Sequence, residues 1–259
     1  MTAVAQTDVG RRVIATTGDR FYMRMASIYL AVAVIGFTPT YWLPLVTGTI
    51  AVPAIMHLHA AVFYGWLALL VVQTRFAATR QLARHREFGV LGVSLATAMC
   101  FVGVAAAVAS VRQAEAAGFG EAGRAFAVVP LTGIVFFAAL FAIALRNVKR
   151  VDVHKRLILI ATVSLLNAPV GRLFVLLVAP AALDGGAPPP PVLVTVLPGL
   201  LTDLLLVPAL LHDRKTLGYV HRVYWIGGAA LIASQLLRAP IAATDSWLWI
   251  TNVVIALMP

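Results

Sequence analysis

The chain has a single cysteine in 259 residues, so no intrachain disulfide can brace it. Cys100 lies in an apolar stretch and reads as a small packed side chain. Charge is scarce as well: Asp, Glu, Lys and Arg make up 12% of the residues, and only ten residues are acidic. That excludes an ordinary soluble surface. No Walker, HExxH, GxSxG or CxxC motif occurs, so the motif-borne readings of nucleotide hydrolysis, zinc proteolysis, serine hydrolysis and thiol exchange find no support. The last long apolar run has no mid-span lysine, which leaves a retinal Schiff base without an attachment point. The first 24 residues lack the apolar core of a signal peptide. They are expected to form a flexible cytoplasmic arm, with residues 25–259 forming one integral-membrane bundle.

What is present is apolar: 61% of residues, with a mean hydropathy of +0.92. A spanning helix needs about 20 predominantly apolar residues, and seven segments qualify, at 25–47, 54–77, 88–111, 126–146, 155–179, 191–211 and 221–238. The expected fold is therefore all-α, a polytopic transmembrane bundle of seven spans. An eighth piece, "WLWITNVVIALMP", is too short to cross and reads as an interfacial or re-entrant helix with Trp247 and Trp249 at headgroup level.

The net charge of +10 does not point to nucleic acid, because the basic residues sit in short clusters between apolar runs. If the N-terminus is cytoplasmic, sixteen of the twenty Lys and Arg residues fall on the inner side, and only Arg112, Arg124, Arg172 and Arg238 lie elsewhere. The positive-inside rule sets this orientation. The lipid bilayer is the first partner expected, and the lack of any extramembrane domain leaves room for partner subunits or self-association.

Three short stretches look alike: "LARHREFG", "VDVHKRLI" and "GYVHRVYW". Each sets a histidine and a basic residue at the inner start of a span. Counting by helical periodicity, His85 shares a face with Gly89, Gly92, Ala96 and Gly103, His154 with Ala161, Ala168 and Arg172, and His221 with Trp225, Gly228 and Gln235. Small residues on these faces point to helix packing. Three imidazoles at one depth could ligate a divalent metal, zinc or iron, with His212 as a fourth nitrogen and Glu87, Asp152 and Asp213 nearby. Two of them could instead hold one haem. The competing reading is plain anchorage, with histidine and its basic neighbour bonding lipid phosphate.

Further polar residues lie within the spans. His57 and His59 open the second span at its outer end, and Arg172 and Arg238 fall about 25 Å into outward-running helices at 1.5 Å per residue. Together they suggest an outer basic pocket for an anionic or hydrophobic small molecule, against the alternative of arginines snorkelling to headgroups. Asp203, in "GLLTDLLLVP", sits near mid-membrane with no short route to water. It needs a partner or a proton and is the candidate buried acid or base. Pro198 and Pro208 bracket it, which permits a kink.

At "HAAVFYGWLALLVVQTRFAATRQLARHREFG", "VDVHKRLILIATVSLL" and "DRKTLGYVHRVYWIGG" the chain resembles a group of bacterial inner-membrane proteins of about seven spans, for which no activity is established. The resemblance implies topology and no chemistry. The progestin and adipoQ receptor pattern requires HxxxH on the last span, and here Trp225 follows His221. The cytochrome b561 pattern requires histidines of neighbouring helices at both faces, and here the outer pair shares one helix. Three functional classes stay open: a metal- or haem-binding redox or hydrolytic protein, a small-molecule or proton-coupled transporter or ligand-binding module, and an accessory subunit without catalysis.

Overall fold

A computed structural model describes residues 7–178 and 187–258. Among them no strand occurs, and the helices follow as α1 (Thr7–Phe37), α2 (Leu43–Val46), α3 (Ala54–Ala78), α4 (Leu82–Ala116), α5 (Gly120–Phe126), α6 (Val128–Arg146), α7 (Val151–Leu165), α8 (Asn167–Val178), α9 (Val196–Asp203), α10 (Val207–Leu217), α11 (Arg222–Ala242) and α12 (Asp245–Leu257). They assemble into seven segments long and apolar enough to cross a membrane: Arg20–Val46, Ala54–Ala78, Leu82–Ala116, Gly120–Arg146, Val151–Val178, Val192–Leu217 and Arg222–Ala242. The shorter apolar helix α12 follows them. The chain is thus an all-helical, multi-pass membrane protein.

The segments run longer than hydropathy alone suggests. Leu82–Ala116 has 35 residues where the apolar run covers 88–111, because helix continues through the polar flanks, whose long side chains can reach back to water. Likewise α1 is helical from Thr7, upstream of the expected start at residue 25. Residue 179, expected to close the fifth span, and part of the Gly/Pro turn at 183–191 fall outside the described residues.

Spans two and three form one antiparallel hairpin and spans four and five another, and the first span packs on the second and on both halves of the fifth. The seventh lies against the fourth, fifth and sixth. The larger of two apolar clusters, with Tyr22, Met25, Tyr29, Trp66, Met99, Phe137, Ile160 and Leu231, runs through this bundle, and a smaller one of Val111, Val128, Val192 and Trp247 lies toward α12. Apolar side chains such as Val90 (69% exposed) and Leu177 (82%) face outward, as lipid contact requires. Lipid gives no hydrophobic drive to helix association, so close backbone approach matters more. At Gly36 a Cβ would stand 2.5 Å from Pro169 Cβ, so only glycine lets the first span touch the fifth there.

Two spans are broken. The fifth divides into α7 and α8 at Leu166, just before Pro169, whose missing N–H cannot continue the helix ladder. The sixth divides after Asp203 through a tight 3₁₀ turn, Leu204–Leu206, before Pro208 in the first turn of α10. The Tyr29 hydroxyl donates to the Leu205 carbonyl at this break (3.4 Å).

The last helix does not cross. The Trp247 indole donates to the Arg124 carbonyl (2.9 Å), Arg124 Nε donates to Asn252 Oδ1 (3.0 Å), and Arg112 caps the final carbonyls of Ile255 and Met258. These bonds dock α12 beside α5, at the end of the bundle opposite the basic clusters. The two tryptophans expected together part company: Trp247 is buried, while Trp249 is 66% exposed.

Candidate functional site

Each repeated histidine has a structural partner. His85 Nδ1 bonds the Gln73 carbonyl (3.2 Å), tying the start of α4 to α3. His154 Nδ1 bonds the Ala144 carbonyl (2.9 Å), tying the start of α7 to the last turn of α6. A carbonyl only accepts, so Nδ1 carries the hydrogen in both rings. The two rings lie close enough for their charges to interact. The third copy differs, because His221 precedes its helix. It is the N-cap of α11, with extended backbone (φ −64°, ψ 137°). Its Nδ1 accepts from the Val223 N–H (3.2 Å), which leaves Nε2 to donate to Asp152 Oδ2 (3.2 Å).

This placement explains where the helical count succeeds and where it fails. From His85, Gly92, Ala96 and Gly103 are buried. From His154, Ala161 is buried, but Ala168 and Arg172, beyond the break, are exposed. From His221 the count begins one residue before the helix and holds only in part: Gln235 is buried, Gly228 half-buried and Trp225 exposed. The buried face of α11 is Tyr224, Gly227, Leu231, Gln235, Arg238 and Ala242, and Trp225 is 62% exposed. His212 stacks flat on Phe21, with ring centroids 3.9 Å apart. Among the described residues no group of three His, Cys, Asp or Glu side chains could hold a metal ion.

The inner ends of spans five, six and seven are held by a buried ion pair absent from the sequence reading. Arg156 donates through Nε to Asp213 Oδ2 (2.8 Å) and through Nη2 to Asp213 Oδ1 (2.5 Å). Its Nη1 donates to the Asp152 carbonyl (2.6 Å), and Asp213 Oδ2 also accepts from the His221 N–H (3.2 Å). Such a two-pronged pair satisfies both charges at once. By sequence Arg156 is one of the sixteen basic residues on the inner side. Its position one turn inside Asp152 in an apolar run was the available signal.

The four residues expected in one outer basic pocket separate into two groups. His57 Nδ1 pairs with the Tyr41 hydroxyl (2.9 Å). His59 stacks on Phe63 (4.1 Å), and Arg172 lies over the Phe37 ring (5.4 Å). These belong to spans one, two and five, and the charges of His59 and Arg172 interact. Arg238 keeps other company. Buried to 2% exposure in α11, it donates from Nε to Thr132 Oγ1 of the fourth span (3.0 Å).

Across from Arg238 stands Asp203, where the sixth span breaks. Gln235, also 2% exposed, donates from Nε2 to Asp203 Oδ1 (3.1 Å). The charges of Asp203 and Arg238 interact, yet no ion pair joins them. The ion pairs formed among the described residues are Arg124–Glu115, Arg156–Asp213 and His221–Asp152. Three atoms of this group are buried without a hydrogen-bond partner: Asp203 Oδ2, Gln235 Oε1 and Arg238 Nη1. They amount to two acceptors and one donor. Space for the group comes from the sixth span: at Gly199 a Cβ would stand 2.9 Å from Gln235 Oε1, so any larger residue would displace that amide.

No family model, curated protein or solved structure matches the chain. Of the expected likeness, the structure carries the seven apolar helices.

Proposed function

We propose that this protein is a multi-pass protein of the bacterial inner membrane that couples proton movement to the binding or passage of a small polar solute, with Asp203 as the proton-carrying group. The carrying observation is the gap between Asp203 and Arg238. A half-buried carboxylate with one oxygen buried and a buried guanidinium form no ion pair, beside an amide with one atom unmet. Ionisable groups at this depth are costly, and groups kept for stability alone would be driven into contact. A water or a solute group that gives two hydrogen bonds and takes one matches the three unmet atoms. The break after Asp203 supports the reading, since discontinuous helices line the sites of many transporters.

For the metal or haem reading of His85, His154 and His221 the support is weaker: among the described residues no three His, Cys, Asp or Glu side chains are grouped to hold a metal ion, and each ring bonds at a helix end. No step is assigned to such a group.

The test is proton flux in proteoliposomes under an imposed pH gradient, followed with an internal pH dye. Wild-type vesicles should dissipate the gradient faster than empty ones, with a further increase when the correct solute is present. Asp203→Asn should abolish the difference. Equal flux in wild-type and Asp203→Asn vesicles would sink the proposal.

A further inference from the structure

A second site lies apart from the Asp203 group, where the first, second and fifth spans meet. A narrow apolar cleft of about 40 Å³ is lined by Phe37, Phe63, Tyr64, Leu67, Leu166 and Pro169. The break of the fifth span at Leu166 opens it, and the contact of Gly36 with Pro169 borders it. Its aromatic walls each carry a polar head. Arg172 lies over Phe37, exposed and with no acidic partner among the described residues, and His59 stacks on Phe63 with Nδ1 buried and unpartnered.

We propose that this cleft binds a long-chain carboxylate, with the carboxylate on Arg172 and His59 and one stretch of its chain against Phe37, Phe63 and Pro169. Charge selects an anion, because the guanidinium has no carboxylate partner among the described residues. Depth selects the head. Arg172 lies six residues below Val178 and His59 five above Ala54, about 9 Å and 7.5 Å inside the outer helix ends at 1.5 Å per residue. A carboxylate on a single chain reaches this level more readily than a phospholipid phosphate, which stays at the surface. Width selects one chain, since the cleft has no room for two.

Trp42 reports on the site, because its indole donates to the hydroxyl of the lining Tyr64 (2.9 Å). Purified protein in phosphatidylcholine vesicles would be titrated with dibromostearate while tryptophan fluorescence is recorded, and Trp42→Phe identifies the contribution of that residue. Saturable quenching of Trp42 is expected, with half-saturation at least about tenfold weaker in Arg172→Gln and about threefold weaker in His59→Gln, and unchanged in Asp203→Asn. Linear, non-saturating quenching would overturn the proposal, as would an Arg172→Gln curve matching wild type. Brominated phosphatidylglycerol or a quinone acting as strongly as dibromostearate would overturn the choice of ligand. If Arg172→Gln fails to fold, competition on the wild type decides: oleate should displace dibromostearate and oleyl alcohol should not, and equal displacement would refute carboxylate recognition.

Discussion

The sixth span carries two aspartates, Asp203 and Asp213, and each faces an arginine of a neighbouring span. At the inner end the pair is closed. Arg156 and Asp213 meet through two short bonds, every remaining position on the carboxylate and guanidinium described above is turned to backbone, and both side chains are nearly inaccessible (4% and 1%). At mid-membrane the pair is open. Asp203 is held by Gln235 and Arg238 by Thr132, no bond joins the two groups, and three polar atoms are unmet. The same two residue types on one span thus serve different ends. The closed pair holds helices together, and the open pair is left with polar atoms unmet, which is what the proposed function would use.

The comparison can be broken from either end. Truncating the closed pair should have the largest effect. Asp213→Ala leaves a buried guanidinium uncompensated and should cost about 3–5 kcal/mol, read as a large drop in thermal unfolding temperature in detergent. Replacing both partners by apolar residues, Arg156→Met with Asp213→Leu, should recover most of that loss.

Next comes Gly199→Ala. Its Cβ would press on Gln235 Oε1, an overpacking worth about 1–3 kcal/mol. It should also disturb proton flux, which separates it from an overpacked position elsewhere. His221→Ala removes the N-cap of α11 and should cost about 1 kcal/mol. His221→Asn should restore the cap and most of the stability, because the bond to the exposed Asp152 contributes little. The smallest stability change is expected for Asp203→Asn, about 1 kcal/mol or less. The amide can still accept from Gln235, and one carboxylate oxygen was already unmet. If that variant unfolds like Asp213→Ala, the two pairs are alike after all and the open site is only structural.

Much of the architecture was legible in the chain. Seven apolar runs separated by basic clusters define the spans, and a short terminal run defines α12, because bilayer thickness sets helix length directly. Asp203 was legible too, as a lone acid in an apolar run. Its partner was not. Arg238 and Arg172 stand at similar depths in outward-running helices, and depth alone placed them together. Only the rotational setting of α11 and α8 separates them, and that is decided by packing between spans distant in sequence. The histidine repeat also acquires its local meaning from packing. Its regularity comes from what a helix start needs, a group to hold a neighbouring helix end or to cap its own first turn, and that need recurs wherever the chain re-enters from the basic side.

The polar face of α11 bears on how the chain is made. The seventh span has the lowest mean hydropathy of the seven, 1.2 against 2.5 for the fourth, because Gln235 and Arg238 occupy the middle and outer parts of its buried face. An arginine at the centre of a lone helix costs about 2.5–3.5 kcal/mol during insertion, and one nearer the end, like Arg238, costs less but adds to the burden of Gln235. The seventh span is thus a poor candidate to leave the translocon by itself. Asp203 and Thr132 arrive before it in chain order and can receive its two polar side chains. Insertion of the last span is in this way a step of assembly, performed against helices already in place, and the Asp203 group is complete only when the final crossing is made.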